Sequence, residues 1–189
     1  MPPSQAATLA TTYNNWQEVG AAVEAGGITA TASGRGHVKP TNVTDADAGT
    51  ADNPYLIDSP EALAWFMQRV NTDAAYRSAH VKLTADIDLT GASYGGTSTE
   101  ALKWVAIGGE STAFTGVFDG SGHAVDYMRI LFTNATKNQG LFGRVDGNGV
   151  VKNVTVGSHS SVTSGSDDLG GIVGKLTYGT VENCRNEAA

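Results

Sequence analysis

Asp86 and Asp88 stand two apart in the run Val81-Lys82-Leu83-Thr84-Ala85-Asp86-Ile87-Asp88-Leu89. On an extended strand that spacing puts both carboxylates on one face, roughly 7 Å apart. Such a pair can ligate Ca²⁺, or split acid and base roles between two carboxyl groups. The preferred reading is a solvated strand face, because Val81, Leu83, Ala85, Ile87 and Leu89 hold the alternate, inward positions. Asp86 and Asp88 are therefore the metal candidates, with Ca²⁺ the one cofactor considered. No catalytic, cofactor-binding or ligand-binding residue is assigned.

Asp119, His123 and Asp126 offer an acid–base set, but Asp119-Gly120-Ser121-Gly122-His123 suits a tight turn better. Asp167 and Asp168 are adjacent carboxylates beside Gly165 and Ser166. The Gly-His-Gly and Arg-Ile-Lys signatures that accompany such a pair in pectin hydrolases are absent, so the pair reads as solvated loop charge. Cys184 is the single cysteine. A nucleophilic thiol needs a nearby base, and none is adjacent, so Cys184 reads as a small core residue. His37, His80 and His159 stand apart, with no metal-ligand spacing. Trp16, Trp65 and Trp104 are the largest apolar anchors. Core packing is their expected role ahead of sugar stacking, with Trp65 lying off the main apolar face of its helix.

Two helices are expected to position these groups. Residues 14–27 read as a short helix capped by Asn14 or Asn15, with Trp16, Val19 and Val23 on one face and Gly26-Gly27 as the stop. A β-like run at 28–31 and a loop over 33–53 follow. The second helix has Ser59 as N-cap, Pro60 at the first helical position and Glu61 at the positive end of the dipole. Leu63, Phe66, Met67 and Val70 form its apolar face at i, i+3, i+4 and i+7. The run from 81 to 89 then reads as one strand.

After Trp104 short β-like runs recur between glycines. Gly116-Val117-Phe118, Gly140-Leu141-Phe142-Gly143 and Gly171-Ile172-Val173-Gly174 form one set. Val125-Asp126-Tyr127-Met128, Val151-Lys152-Asn153-Val154 and Val181-Glu182-Asn183-Cys184 form a second. Recurrence of this kind means stacked repeats. The alignment places Met128, Val154 and Cys184 in one inward row and Val125, Val151 and Val181 in another. It puts Asp126, Lys152 and Glu182 on the outer face with alternating sign, and Asn153 and Asn183 at a shared bend. The expected fold is mainly β: a right-handed parallel β-helix, or solenoid, with an N-terminal α-helical cap at 59–71. Residues 1–50 form an N-terminal extension of helix, strand and loop-rich linker, and 51–189 the capped repeats.

Composition agrees with a β-rich, turn-rich chain. Of 189 residues 24 are Gly, 40% are hydrophobic and only 16% are charged. The net charge of −7 speaks against nucleic acid as a partner and against adsorption to anionic membranes. No apolar run approaches a bilayer span, so no membrane insertion is expected. Met1 to Thr12 lack a basic start and an apolar core and do not read as a signal peptide. An exported protein would carry its leader outside this sequence.

The chain resembles the GLUG-motif repeat proteins of bacterial cell surfaces. Gly140-Leu141-Phe142-Gly143 matches the motif, and Gly171-Ile172-Val173-Gly174 matches it more loosely. Asn53-Pro54-Tyr55-Leu56-Ile57, the capped helix from Ser59, Leu83 to Leu89 and Phe118 to His123 follow in the same order, so the resemblance covers roughly 51–189. It implies a right-handed β-helix on a secreted or wall-attached protein and little about chemistry. The expectation is a non-catalytic extracellular module, a rigid spacer or a display region for a glycan or protein ligand, with recognition on loops 91–101, 133–139 and 157–168. The alternatives are a polysaccharide lyase or hydrolase, or a fragment of a larger secreted peptidase or adhesin with no activity of its own. Further repeats in a parent chain, or self-association, are expected at the open C-terminal end.

Overall fold

A computed structural model describes residues 12–30, 37–132, 136–165 and 167–189. Helix α1 (Trp16–Glu24) is capped by Asn15, whose side chain accepts from the Glu18 N–H. Helix α2 (Pro60–Thr72) is capped by Ser59, which accepts from the Ala62 N–H at 3.1 Å, with Pro60 in its first turn. The expected face of α2 is buried: Leu63, Phe66, Met67 and Val70 are all 0% exposed. Ala62, Ala64 and Trp65 are buried too, because α1 packs on the other side of α2. Where the helices cross, a Cβ on Gly20 would lie 2.3 Å from the Ala64 carbonyl oxygen. Glycine is what allows this approach. The β-like run expected at 28–31 is not a strand over the described residues 28–30. Thr31 lies outside the described residues.

Among the described residues the strands are short and all pairings are parallel. In chain order they are β1 (Tyr55–Ile57), β2 (His80–Leu83), β3 (Ile87–Asp88), β4 (Val117–Asp119), β5 (Ala124–Asp126), β6 (Arg129–Phe132) and β7 (Phe142–Val145). Then come β8 (Val150–Lys152), β9 (Thr155–Val156), β10 (Ser161–Ser164), β11 (Val173–Leu176), β12 (Thr180–Glu182) and β13 (Arg185–Asn186). One sheet runs β1-β2-β4-β8-β12 and a second β3-β5-β9-β13; β6-β10 and β7-β11 stand as two-stranded sheets.

This corrects the expected right-handed parallel β-helix. Among the described residues the strands lie in four short, separate sheets and do not form one solenoid. Between Leu102 and Thr115, where a regular repeat needs strands, the backbone makes only single bridges. Lys103 bridges Arg129, Ile107 bridges Phe142 and Phe114 bridges Val145. Hence two of the sheets stop at two strands. The run 81–89 is likewise two strands, β2 and β3, belonging to different sheets. Its alternation survives in burial, with Val81, Leu83, Ile87 and Leu89 inside, but the chain turns a corner between Leu83 and Ile87.

The repeat alignment is also corrected by one segment. Val151 pairs with Phe118 on one side and Val181 on the other, while Val125 pairs with Val156. Met128 is not in the row of Val154 and Cys184. Its N–H donates to Ser160 Oγ, and its carbonyl accepts from the Ser161 N–H. The outward charges in register are Lys82, Asp119, Lys152 and Glu182. Sign alternation across the sheet is real, but Asp119 fills the place expected for Asp126. Sequence spacing alone could not separate these, since Val117-Phe118-Asp119 and Val125-Asp126-Tyr127 both offer an apolar–acidic step.

One apolar core joins the helices to the sheets, with Trp16, Trp104, Phe114, Phe118 and Phe142 among its fully buried members. Phe66, Phe114, Phe142 and Phe118 form a chain of ring contacts from α2 into the sheets, at centroid distances of 6.1, 5.1 and 5.1 Å. A Cβ on Gly143 would lie 2.2 Å from the Gly108 carbonyl oxygen and 2.5 Å from that of Asn138. The second glycine of the Gly-Leu-Phe-Gly motif is thus set by close backbone approach on both sides.

Candidate functional site

The carboxylates singled out in the sequence are engaged with turns. Asp86 Oδ1 accepts from the Ala124 N–H at 3.0 Å and lies 3.1 Å from His123 Nδ1. These two contacts, the backbone bond first, hold its carboxyl below the usual carboxylate range. Asp88 Oδ1 accepts from the Thr90 N–H at 2.8 Å. Asp88 and Asp126 are register partners on the same sheet face. Among the described residues, no three His, Cys, Asp or Glu side chains come together as a group that could hold a metal ion.

Asp119, His123 and Asp126 are not brought together. Asp119 Oδ1 accepts from the Ser121 N–H and from Asn153 Nδ2, at 2.8 and 2.9 Å. His123 faces Asp86. Asp126 instead holds the next segment: Oδ1 accepts from the Tyr127 and His159 N–H groups, and Oδ2 lies 2.8 Å from His159 Nδ1. Burial pushes the Asp126 carboxyl up, but the contacts from His159 and Tyr127 outweigh it and bring the net shift below the usual range. The His159 ring stacks on Tyr127 at 4.6 Å. Tyr127 has φ 57°, an uncommon conformation for a bulky residue, so the Asp126 bonds and the stack fix a costly turn.

The remaining candidates separate in the same way. The Asp168 carboxylate lies 3.7 Å from Lys175 Nζ, and its backbone carbonyl accepts from the Gln139 N–H. Cys184 is half-buried, its thiol donating to the Val151 and Glu182 carbonyls. His37 pairs with Asp58 at 3.0 Å, and His80 sits on β2. The three tryptophans are buried. Trp16 Nε1 donates to the Leu89 carbonyl, Trp104 Nε1 to that of Leu141, and Trp65 Nε1 to Glu24. Glu24 accordingly falls below the ordinary carboxylate range, with that bond the largest cause. None of the three rings is open to a sugar.

A further feature among the described residues was not singled out residue by residue in the sequence. Two adjoining depressions of about 410 Å³ each share Gln17, Val105, Thr136 and Gln139. They form one groove between the start of α1, the segment 105–112 and residues 136–139. Asn71, from the end of α2, fixes one wall. Its Nδ2 donates to Gln17 Oε1 and to the Ala106 carbonyl, and its Oδ1 accepts from the Gly108 N–H at 2.8 Å. Asn138, 2% exposed and at φ 58°, fixes the other, donating from Nδ2 to Glu110 Oε2 at 2.8 Å. That bond is the leading cause of the lowered Glu110 carboxyl. The groove uses part of the loop 133–139 expected to carry recognition; residues 133–135 lie outside the described residues. Gln17, Asn71 and Gln139 gave no signal because uncharged amides have no diagnostic spacing.

No family model matches the chain, and no solved structure matches it. It is similar to halomucin of Haloquadratum walsbyi, with 37% identity over 128 residues, 67% of this chain and 1% of halomucin. It is also similar to a protein of Evansella cellulosilytica named "Putative Gly-rich membrane protein", with 30% identity over 137 residues, 71% of this chain and 14% of that protein. The chain thus spans a small fraction of the length of both relatives. Neither name is that of the GLUG-motif family.

Proposed function

We propose that the chain is a non-catalytic module of a surface- or membrane-associated protein, extracellular or cell-wall attached, whose short parallel sheets hold recognition loops in fixed positions. The observation that carries this reading is the match of 67% of the chain to 1% of halomucin. A sequence of this kind occurs there as a small part of a very long protein. The second relative, named as a membrane protein, points the same way. Among the described residues no helix is long and apolar enough to cross a membrane. The resemblance of Gly140 to Gly143 to the GLUG motif adds to the reading. Engagement of Asp86, Asp119 and Asp126 with backbone N–H groups of turns favours a structural use of these carboxylates over acid–base chemistry.

Antibodies against residues 51–189 test the placement on intact and lysed cells of the source organism. Labelling of intact cells is the expected result; labelling only after lysis would overturn it. A screen for turnover of neutral and acidic polysaccharides, with and without Ca²⁺, tests the non-catalytic half. Turnover lost in a variant of any described residue would defeat it.

A further inference from the structure

The groove between α1 and residues 136–139 combines a fixed shape with unused hydrogen-bonding capacity. Its walls are pinned by Asn71 and Asn138, each bonded to a separate segment. Gln17 accepts from Asn71 through Oε1; among the described residues its Nε2 has no partner. Among the described residues, Asn138 Oδ1 and Gln139 Oε1 are buried without a hydrogen-bond partner. A buried carbonyl left unpaired is costly, so these two mark a place where an added hydrogen-bond donor would be favourable. Val105 and Phe132 add apolar surface to its lining. We propose that this groove binds a neutral, hydroxyl-rich ligand, an oligosaccharide, with Gln17, Thr136 and Gln139 taking its hydroxyl groups.

The chemistry selects the class. A sugar hydroxyl both donates and accepts, as amides and threonine hydroxyls do, and a sugar ring lays its C–H face on apolar surface. Local charge in the groove is mixed, since Lys137 lines it beside Glu110, which pairs with Arg144; it is the net charge of −7 over the whole chain that disfavours an acidic glycan. The inference rests on the module reading and adds its ligand. Its failure leaves the cell-surface result standing, and failure of surface labelling leaves the binding result standing.

Titration calorimetry with cellohexaose, xylohexaose, maltohexaose and mannohexaose, against hexagalacturonate as the acidic control, tests it on the intact chain. At least one neutral oligomer is expected to bind with Kd of about 1 mM or tighter. Gln17→Ala and Thr136→Val are expected to weaken it about tenfold while circular dichroism stays unchanged. Gln139→Ala should do the same; because Gln139 is buried, its result counts only alongside an unchanged melting curve. Three results overturn the proposal: no binding by any neutral oligomer, equal or tighter binding of hexagalacturonate, or unchanged affinity in both Gln17→Ala and Thr136→Val.

Discussion

Asp126 carries more of the turn after β5 than any other single side chain, since its two oxygens bind Tyr127 and His159. Its carboxyl sits below the ordinary value in the folded chain. The unfolded chain therefore takes up the proton first, and the stabilisation is fully present above about pH 4. It disappears as pH falls through the folded value. Asp126→Asn is expected to lower stability by about 1.5–3 kcal/mol near neutral pH, with the gap to wild type closing on acidification. Urea unfolding between pH 7 and pH 3 measures this; a gap independent of pH would contradict it. Asn153 gives a second residue-scale test. It adopts φ 56° and donates from Nδ2 to Asp119. Asn153→Ala loses that bond and keeps a Cβ in the left-handed region without the polar side chain that eases it, at a combined cost of about 2 kcal/mol. Asn153→Gly loses the bond alone and should cost less. The reverse order in denaturant midpoints would mean that the corner is not held as described. The bend at Asn153 and Asn183 was legible in the sequence because asparagine tolerates this conformation. The partner of Asp126 was not, because His159 lies on a later segment and only the register brings it near.

At the scale of elements, caps and period-four apolar spacing revealed both helices, and the alternation from Val81 to Leu89 revealed which side chains point inward. The burial of Trp65 did not follow from its own helix. It follows from α1 covering the outer side of α2, a long-range contact without local signature. That contact rests on Gly20 against Ala64. Gly20→Ala improves helix propensity by about 1 kcal/mol, yet the added carbon meets backbone that cannot move without shifting a helix. A net loss of about 1–3 kcal/mol is expected, read as a lower thermal midpoint; a rise would show that the helices do not meet there. The misaligned first repeat has a similar origin. Short apolar–acidic steps occur twice between Val117 and Tyr127, and only the pairing of Phe118 with Val151 chooses between them. The amide groove stayed hidden for the same reason: its walls come from α1, α2 and two later segments.

Across the whole molecule the two ends of the five-stranded sheet differ. At β1 the edge is closed by the chain itself, since Leu56 donates to Asn42 Oδ1 and accepts from the Thr41 N–H. At the other end β12 is outermost, and β11 and β13 are outermost in their own sheets. The inward residues there lack a cover. Val181 is 37% exposed and Leu176 46%, whereas their register partners Val151 and Val145 are 0% exposed. Among the described residues the exposed large apolar side chains are Leu169, Leu176, Tyr178 and Val181, all near this end. Open parallel edges with apolar side chains pair with other chains. The chain is therefore expected to self-associate as its concentration rises. Leu176→Lys with Val181→Lys should suppress that association at a stability cost under about 1 kcal/mol, because both positions already meet solvent. The corresponding Val145→Ala and Val151→Ala should each cost more than about 1 kcal/mol, because they leave cavities in a closed core. Light scattering over a wide concentration range, with melting curves for the four variants, checks both halves. A wild-type chain that stays strictly monomeric throughout would show that these edges are shielded by its own structure.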